Sequence, residues 1–258
     1  MFKFNILIDS NIIARFIINI IIDYLMNIRE ELSGNYKYIV VEFSNRIDSD
    51  LLKAIKERAE EDSKNVNPMS PSGEIRPEDL IYFNNIGGII AEESVKSYLM
   101  LLIKSNNLNA EILPSPFINC QDHRDIKIRV NDKVKTIEVR SSFQYKTTLQ
   151  RVFSGAFSLI GKYTTSHKGQ EPDKDFYVTV IHRYENKQMM LMLQSKIEVL
   201  IVGGAHSDIF NKIGEKKFLK QENAEYLIIN PINRVEDVPK LFNNILEIKQ
   251  LKQQSLFF

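Results

Sequence analysis

Two carboxylates and a cation bracket a polar turn in RDIKIRVNDKVKTIEVRSS (124–142): Asp125 stands before the turn, Glu138 and Arg140 after it. On the way in, Ile126, Ile128 and Val130 alternate with Lys127 and Arg129. On the way out, Thr136, Glu138 and Arg140 alternate with Ile137 and Val139. A period of two with Asn131-Asp132 between predicts a half-buried β-hairpin. If Asn131 and Asp132 form a two-residue loop, Asp125 stands opposite Glu138. If the loop is Asp132-Lys133, Asp125 faces Arg140 and Glu138 is its diagonal neighbour. Cross-strand partners lie ~5 Å apart and diagonals ~7 Å. The intermediate register alone separates the carboxylates, because a one-residue slip turns a side chain to the other face. Carboxylates so placed can share a hard divalent cation such as Mg2+, with Mn2+ as a substitute. A metal there polarises a phosphodiester and lowers the pKa of a bound water. Arg140 points the same way as Glu138 and can steady charge developing on phosphorus. The bland reading of the same alternation is an exposed hairpin with a wet face of mixed charge.

Such a pair needs elements to hold it. GGIIAEESVKSYLMLLIK (87–104) has apolar positions at helical spacing and carries two acids, Glu92 and then Glu93 as candidates for a third carboxylate. TTLQRVFSGAFSLIGKY (147–163) predicts a second long helix. FYVTVIH (176–182), MMLML (189–193), IEVLIVGG (197–204) and YLIIN (226–230) predict strands, and 235–252 a terminal helix. Helices alternating with strands favour an α/β fold around one mixed sheet. Residues 1–62 read as mostly helical, interrupted by YIVVEF (38–43). The proline-rich loop 63–79 marks the best boundary, giving a helical N-terminal region, 1–80, and an α/β domain, 81–258.

An Asp followed on the next strand by Glu-x-Lys, after a helix with another acid and before a helix packed on the sheet, is the pattern of the PD-(D/E)XK nucleases. The region 85–182 resembles that superfamily, which includes many restriction endonucleases. The resemblance implies a restriction-endonuclease-like α/β fold and Mg2+-dependent hydrolysis of double-stranded DNA. It also implies Asp125, Glu138 and Glu92 as metal ligands, with Arg140 at the lysine position. Arginine there cannot serve as a proton-transfer base. The literal motif recurs as Pro172-Asp173 with Glu185-Asn186-Lys187, but there the Glu and Lys fall in a polar turn rather than on a strand.

Ten lysines and arginines against four acids between 116 and 170 leave a local charge of +6 in a chain whose net charge is +1. Arg124, Lys127, Ser141, Ser142, Gln144, Lys146 and Arg151 are therefore candidate DNA contacts, giving salt-sensitive binding. Their bland counterpart is a solvated basic face, with Ser141-Ser142 leading into a helix cap. His123 and His167 stand near the motif, and His182 and His206 have no evident partner. GGAH (203–206) reads as a turn after a buried strand rather than a phosphate loop.

With 43% apolar and 26% charged residues the composition is that of a globular protein. Cys120 is the single cysteine, which suits a reducing cytoplasm and excludes a cysteine-rich zinc site. The apolar N-terminus carries Asn11, Arg15, Asn19 and Asp23 on one helical face, so an amphipathic helix is expected and not a membrane span. It also lacks a signal-peptide cleavage site. A homodimer is compatible with a restriction enzyme. Two rival readings are a DNA-binding protein that keeps a nuclease-like fold without hydrolysis, and a PIN-type ribonuclease suggested by NILIDSNII (5–13).

Overall fold

The computed structural model describes residues 27–64, 66, 68, 74–114, 126–164, 173–218 and 225–248. The molecule is α/β, built on a seven-stranded mixed sheet. In chain order its strands are β1 (Asn27–Ser33), β2 (Tyr36–Ser44), β3 (Ala110–Leu113), β4 (Ile126–Val130), β5 (Lys133–Phe143), β7 (Phe176–His182) and β8 (Lys196–His206). They lie in the order β1-β2-β8-β7-β5-β4-β3. Only β5 and β7 run parallel; the other neighbours are antiparallel. β7 is buried along its whole length, so FYVTVIH is apolar almost throughout rather than alternating.

Two layers cover this sheet. On one face lie α1 (Ser49–Ser63), α2 (Glu78–Ser105) and α5 (Val238–Ile245). α2 presses close to β5: a Cβ on Gly87 would come within 2.8 Å of Phe143 Cζ, and one on Gly88 within 3.9 Å of Ser141 Oγ. Over the other face stands a three-stranded sheet, β6 (Leu159–Thr164), β10 (Glu225–Ile229) and β9 (Glu215–Phe218), in the order β6-β10-β9. α4 (Ser207–Ile213) sits with it, its Phe210 packed edge-on against Tyr177 of β7 at 5.4 Å.

Several elements differ from the sequence reading. Residues 27–33, expected to be helical, form β1, because pairing along its whole length with residues 36–42 of β2 outweighs the local preference of NIREELS. β2 also pairs with β8, so these residues share the main sheet. MMLML is not a strand but the helix α3 (Met189–Leu193): Met189 and Leu193, four apart, are buried, while Leu191 is exposed. The long helix over 147–163 does not form. Thr148 caps a three-residue turn, a wide π turn follows, and Gly155 at φ 126° breaks the run before β6 begins. GGAH is not a turn but the end of β8. The terminal helix is short, capped by Asp237 accepting from the Lys240 amide, with 249–252 outside the described residues. Among the described residues no helix is long and apolar enough to cross a membrane.

His182 at the end of β7 ties the sheet to α2. One ring nitrogen, Nε2, donates to the Gly87 carbonyl at 3.0 Å, which leaves Nδ1 to accept from the Tyr184 hydroxyl at 3.0 Å. Complete burial pushes its pKa down to about 4. The unfolded chain takes up this proton near 6.5 while the folded state still holds a neutral ring. Stability from this group is therefore full above about 6.5 and is lost as pH falls toward 4, by about 3 kcal/mol in all. Urea unfolding at pH 7 and pH 4.5 is expected to show this loss, and a smaller one in His182→Gln.

Candidate functional site

The β4–β5 hairpin turns at Asn131 and Asp132, both with positive φ, 47° and 67°. That is a type I′ geometry, whose twist matches the strands it joins. The register runs from Val130↔Lys133 to Ile126↔Ile137, so the loop is the two-residue one. This is the loop expected to accompany an Asp125–Glu138 pair; Asp125 and Arg124 lie outside the described residues.

Glu138 stands in mid-strand on β5, paired in register with Tyr177 of β7. Only 9% of it is exposed. Its Oε1 lies 3.1 Å from Nη1 of Arg140, the next residue on the same face. Arg140 reaches the small sheet: Nη2 lies 3.5 Å from the Gly161 carbonyl, and the guanidinium carbon sits 4.4 Å over the Tyr163 ring. Tyr163 in turn stacks on Tyr226, its register partner on β10, at 5.6 Å and 26°. Glu138 and Arg140 thus occupy the space between the two sheets.

Glu92 is not brought to them. It pairs with Arg58 of α1 at 2.8 Å, and Arg58 also approaches Asp62 at 3.9 Å. Glu93 pairs with Lys96 at 2.8 Å. Both acids ride on α2, which covers the face of β5 carrying Ser141 and Phe143, and strand alternation points Glu138 to the opposite face. The sheet itself separates the third carboxylate from the second. Among the described residues no three of His, Cys, Asp and Glu gather where they could hold a metal ion.

The remaining candidates scatter. Ser141 lies on the α2 face, away from Glu138. Ser142 Oγ accepts from Gln144 Nε2 at 2.9 Å, and Arg183 donates to the Gln144 carbonyl. Lys127 is exposed and pairs in register with Thr136. Lys146 lies 5.4 Å from the ring of Tyr145, and Arg151 is exposed beside the crossover. Among the described residues, four cations of the basic stretch have carboxylate partners: Arg129 with Glu111, Lys135 with Glu247 at 2.9 Å, Lys162 with Asp173 at 2.5 Å, and Arg140 with Glu138. The local excess of positive charge is thereby reduced. His206 caps α4, accepting from the Asp208 amide, and Glu185 caps a short 3-10 turn, so both have local structural roles. His123, His167, Cys120 and NILIDSNII lie outside the described residues.

Tyr163 and Tyr226 were expected only as members of a helix and a strand, not as site residues. The signal in LIGKYT is weak: Leu159, Gly161 and Tyr163 would share a strand face, but Leu159 and Ile160 are adjacent apolar residues.

No protein-family model and no solved structure matches the chain. Over 241 residues it is 31% identical to the uncharacterized protein MJECS01 of Methanocaldococcus jannaschii, a match covering 82% of this chain and 87% of that protein. The chain belongs to the family of that archaeal protein.

Proposed function

We propose that the protein is a metal-dependent DNA endonuclease of PD-(D/E)XK type, acting on double-stranded DNA as a site-specific restriction enzyme. The observation that carries this reading is the hairpin. A two-residue turn sets the register, and Glu138-x-Arg140 lies in mid-strand, shielded from water. Part of the order of elements supports it: helix α2, then the β4–β5 hairpin, then a crossover into the parallel strand β7, although the helix that the resemblance implies after the hairpin is replaced by a short turn and β6.

Glu138 supplies a hard oxygen ligand, with Asp125 as its partner, and the resident ion is Mg2+, or Mn2+ in substitution. When bound, the metal polarises the scissile phosphate and lowers the pKa of a coordinated water. Arg140 is a permanent cation, so its part is to offset negative charge on phosphorus and not to move a proton. Glu92, held by Arg58 across the sheet, is left out of this ligand set.

The test is plasmid DNA incubated with the protein in Mg2+, in Mn2+ and in EDTA. Discrete fragments that need the metal are expected. The ion pair between Glu138 and Arg140 favours one rival, a non-hydrolytic DNA binder, since the carboxylate already has a cationic partner. A salt-sensitive gel shift with no cutting in either metal establishes that rival.

A further inference from the structure

We propose that Tyr163 is a positioning residue for Arg140, and that arginine occupies the expected lysine position because the small sheet is built to hold a planar cation. The consequence for hydrolysis rests on the nuclease reading, whereas the pairing of the two residues does not.

Among the described residues, three contacts meet the guanidinium: Nη1 toward Glu138 Oε1 at 3.1 Å, Nη2 toward the Gly161 carbonyl at 3.5 Å, and its carbon 4.4 Å over the Tyr163 ring. A flat, delocalised cation with a fork of donors can meet all three together, two at its edge and one on its face. A lysine ammonium is a point charge on a flexible stem and has no plane to lay on a ring. It would keep the charge and lose the orientation.

The supports are themselves braced. Tyr163 is backed by Tyr226 at 5.6 Å from directly across the β6–β10 ladder. Gly161 packs against α4 so closely that a Cβ would come within 2.7 Å of Phe210 Cδ1. Phe210 packs edge-on against Tyr177 at 5.4 Å, and Tyr177 is the register partner of Glu138. From Glu138 the contacts pass through Arg140, Gly161, Phe210 and Tyr177 and return to Glu138. They join the two sheets in a closed circuit. The small sheet is therefore part of the site, and Arg140 cannot swing away from Glu138 without leaving the Tyr163 face.

A double-mutant cycle over Arg140→Lys and Tyr163→Leu, with Tyr163→Phe beside it, tests this. In the Mg2+-dependent cleavage assay each of the first two is expected to lower kcat roughly tenfold, since small misplacements of a charged group are costly to a reaction. KM for DNA should change less than about twofold, because phosphate affinity depends on charge, which both variants retain. The double variant should be no slower than either single one, the non-additivity of coupled residues. Tyr163→Phe keeps the ring face and should retain at least about half the rate. Nitrogen-edited NMR gives a readout that needs no cleavage. The Arg140 Nε–H resonance should be shifted upfield by the ring in the wild type and in Tyr163→Phe, and should return to the position of exposed arginines in Tyr163→Leu. A faster Arg140→Lys enzyme, additive losses, or an Arg140 resonance unmoved by Tyr163→Leu overturns the proposal. If the wild type cuts no DNA in either metal, the nuclease reading fails, and the NMR comparison alone decides whether Tyr163 positions Arg140.

Discussion

Glu138→Gln is expected to lower metal-dependent DNA cleavage roughly a thousandfold while leaving the fold in place. The amide matches the carboxylate in shape and can still accept from Arg140, so the packing between β5 and the small sheet survives. What disappears is the negative charge that, on the proposed nuclease reading, draws a divalent ion. Loss of Lewis-acid assistance is worth several kcal/mol of barrier, and about 4 kcal/mol corresponds to a factor of roughly a thousand. The measurement is initial cleavage rate against Mg2+ concentration, with circular dichroism and thermal unfolding as controls. Wild-type cutting by a folded Glu138→Gln variant would remove Glu138 from the metal site, and the hydrolytic reading would go with it. Glu138→Ala should be equally inactive but less stable, because it also leaves the Arg140 guanidinium, with only 19% of its side chain exposed, without this carboxylate.

The second large effect concerns the sheet that carries the site. Gly204, near the end of β8, pairs in register with Val178 of β7. A Cβ there would collide with the Tyr177 carbonyl oxygen and come within 2.8 Å of Leu241 Cδ2 on α5 and 3.0 Å of Val178 Cα. Two of these neighbours are backbone atoms of a central strand, which cannot turn aside as a side-chain tip can. Gly204→Ala is therefore expected to cost about 3 kcal/mol, the upper end of what overpacking imposes. For a chain of this size that is a fall in Tm of roughly 6–12 °C. Because Tyr177 is the register partner of Glu138, the same change should weaken cleavage at temperatures where the variant is still folded. A Tm within about 1 °C of the wild type would show that the β7–β8 contact relaxes freely, against the packing described.

The hairpin was legible because two local rules agree. Alternation assigned the faces, and a two-residue loop at Asn131-Asp132 suits the twist of paired strands. Between the two registers left open, the positive φ of both turn residues decided. The break at Gly155 was harder to see, since TTLQRVFSGAFSLIGKY has acceptable spacing for a helix. Its last five residues, LIGKY, enter a strand because they find partners on β10, 63 to 70 residues further along the chain. MMLML departs from the expected strand for the opposite reason. An apolar run of five suits either period, and only the burial of Met189 with Leu193 separates helix from strand here.

By itself the sequence determined the α/β class, the hairpin, the face of the strand that Glu138 and Arg140 share, and the long helix carrying Glu92. Those follow from periodicity and turn chemistry, which act over a few neighbouring residues. Tertiary structure alone decided that Glu92 faces Arg58 across the sheet from Glu138, and that Tyr163 comes to lie on Arg140. Each depends on which face of the sheet a distant segment covers. That choice is made by burial summed over the whole core, and no short window of residues contains it.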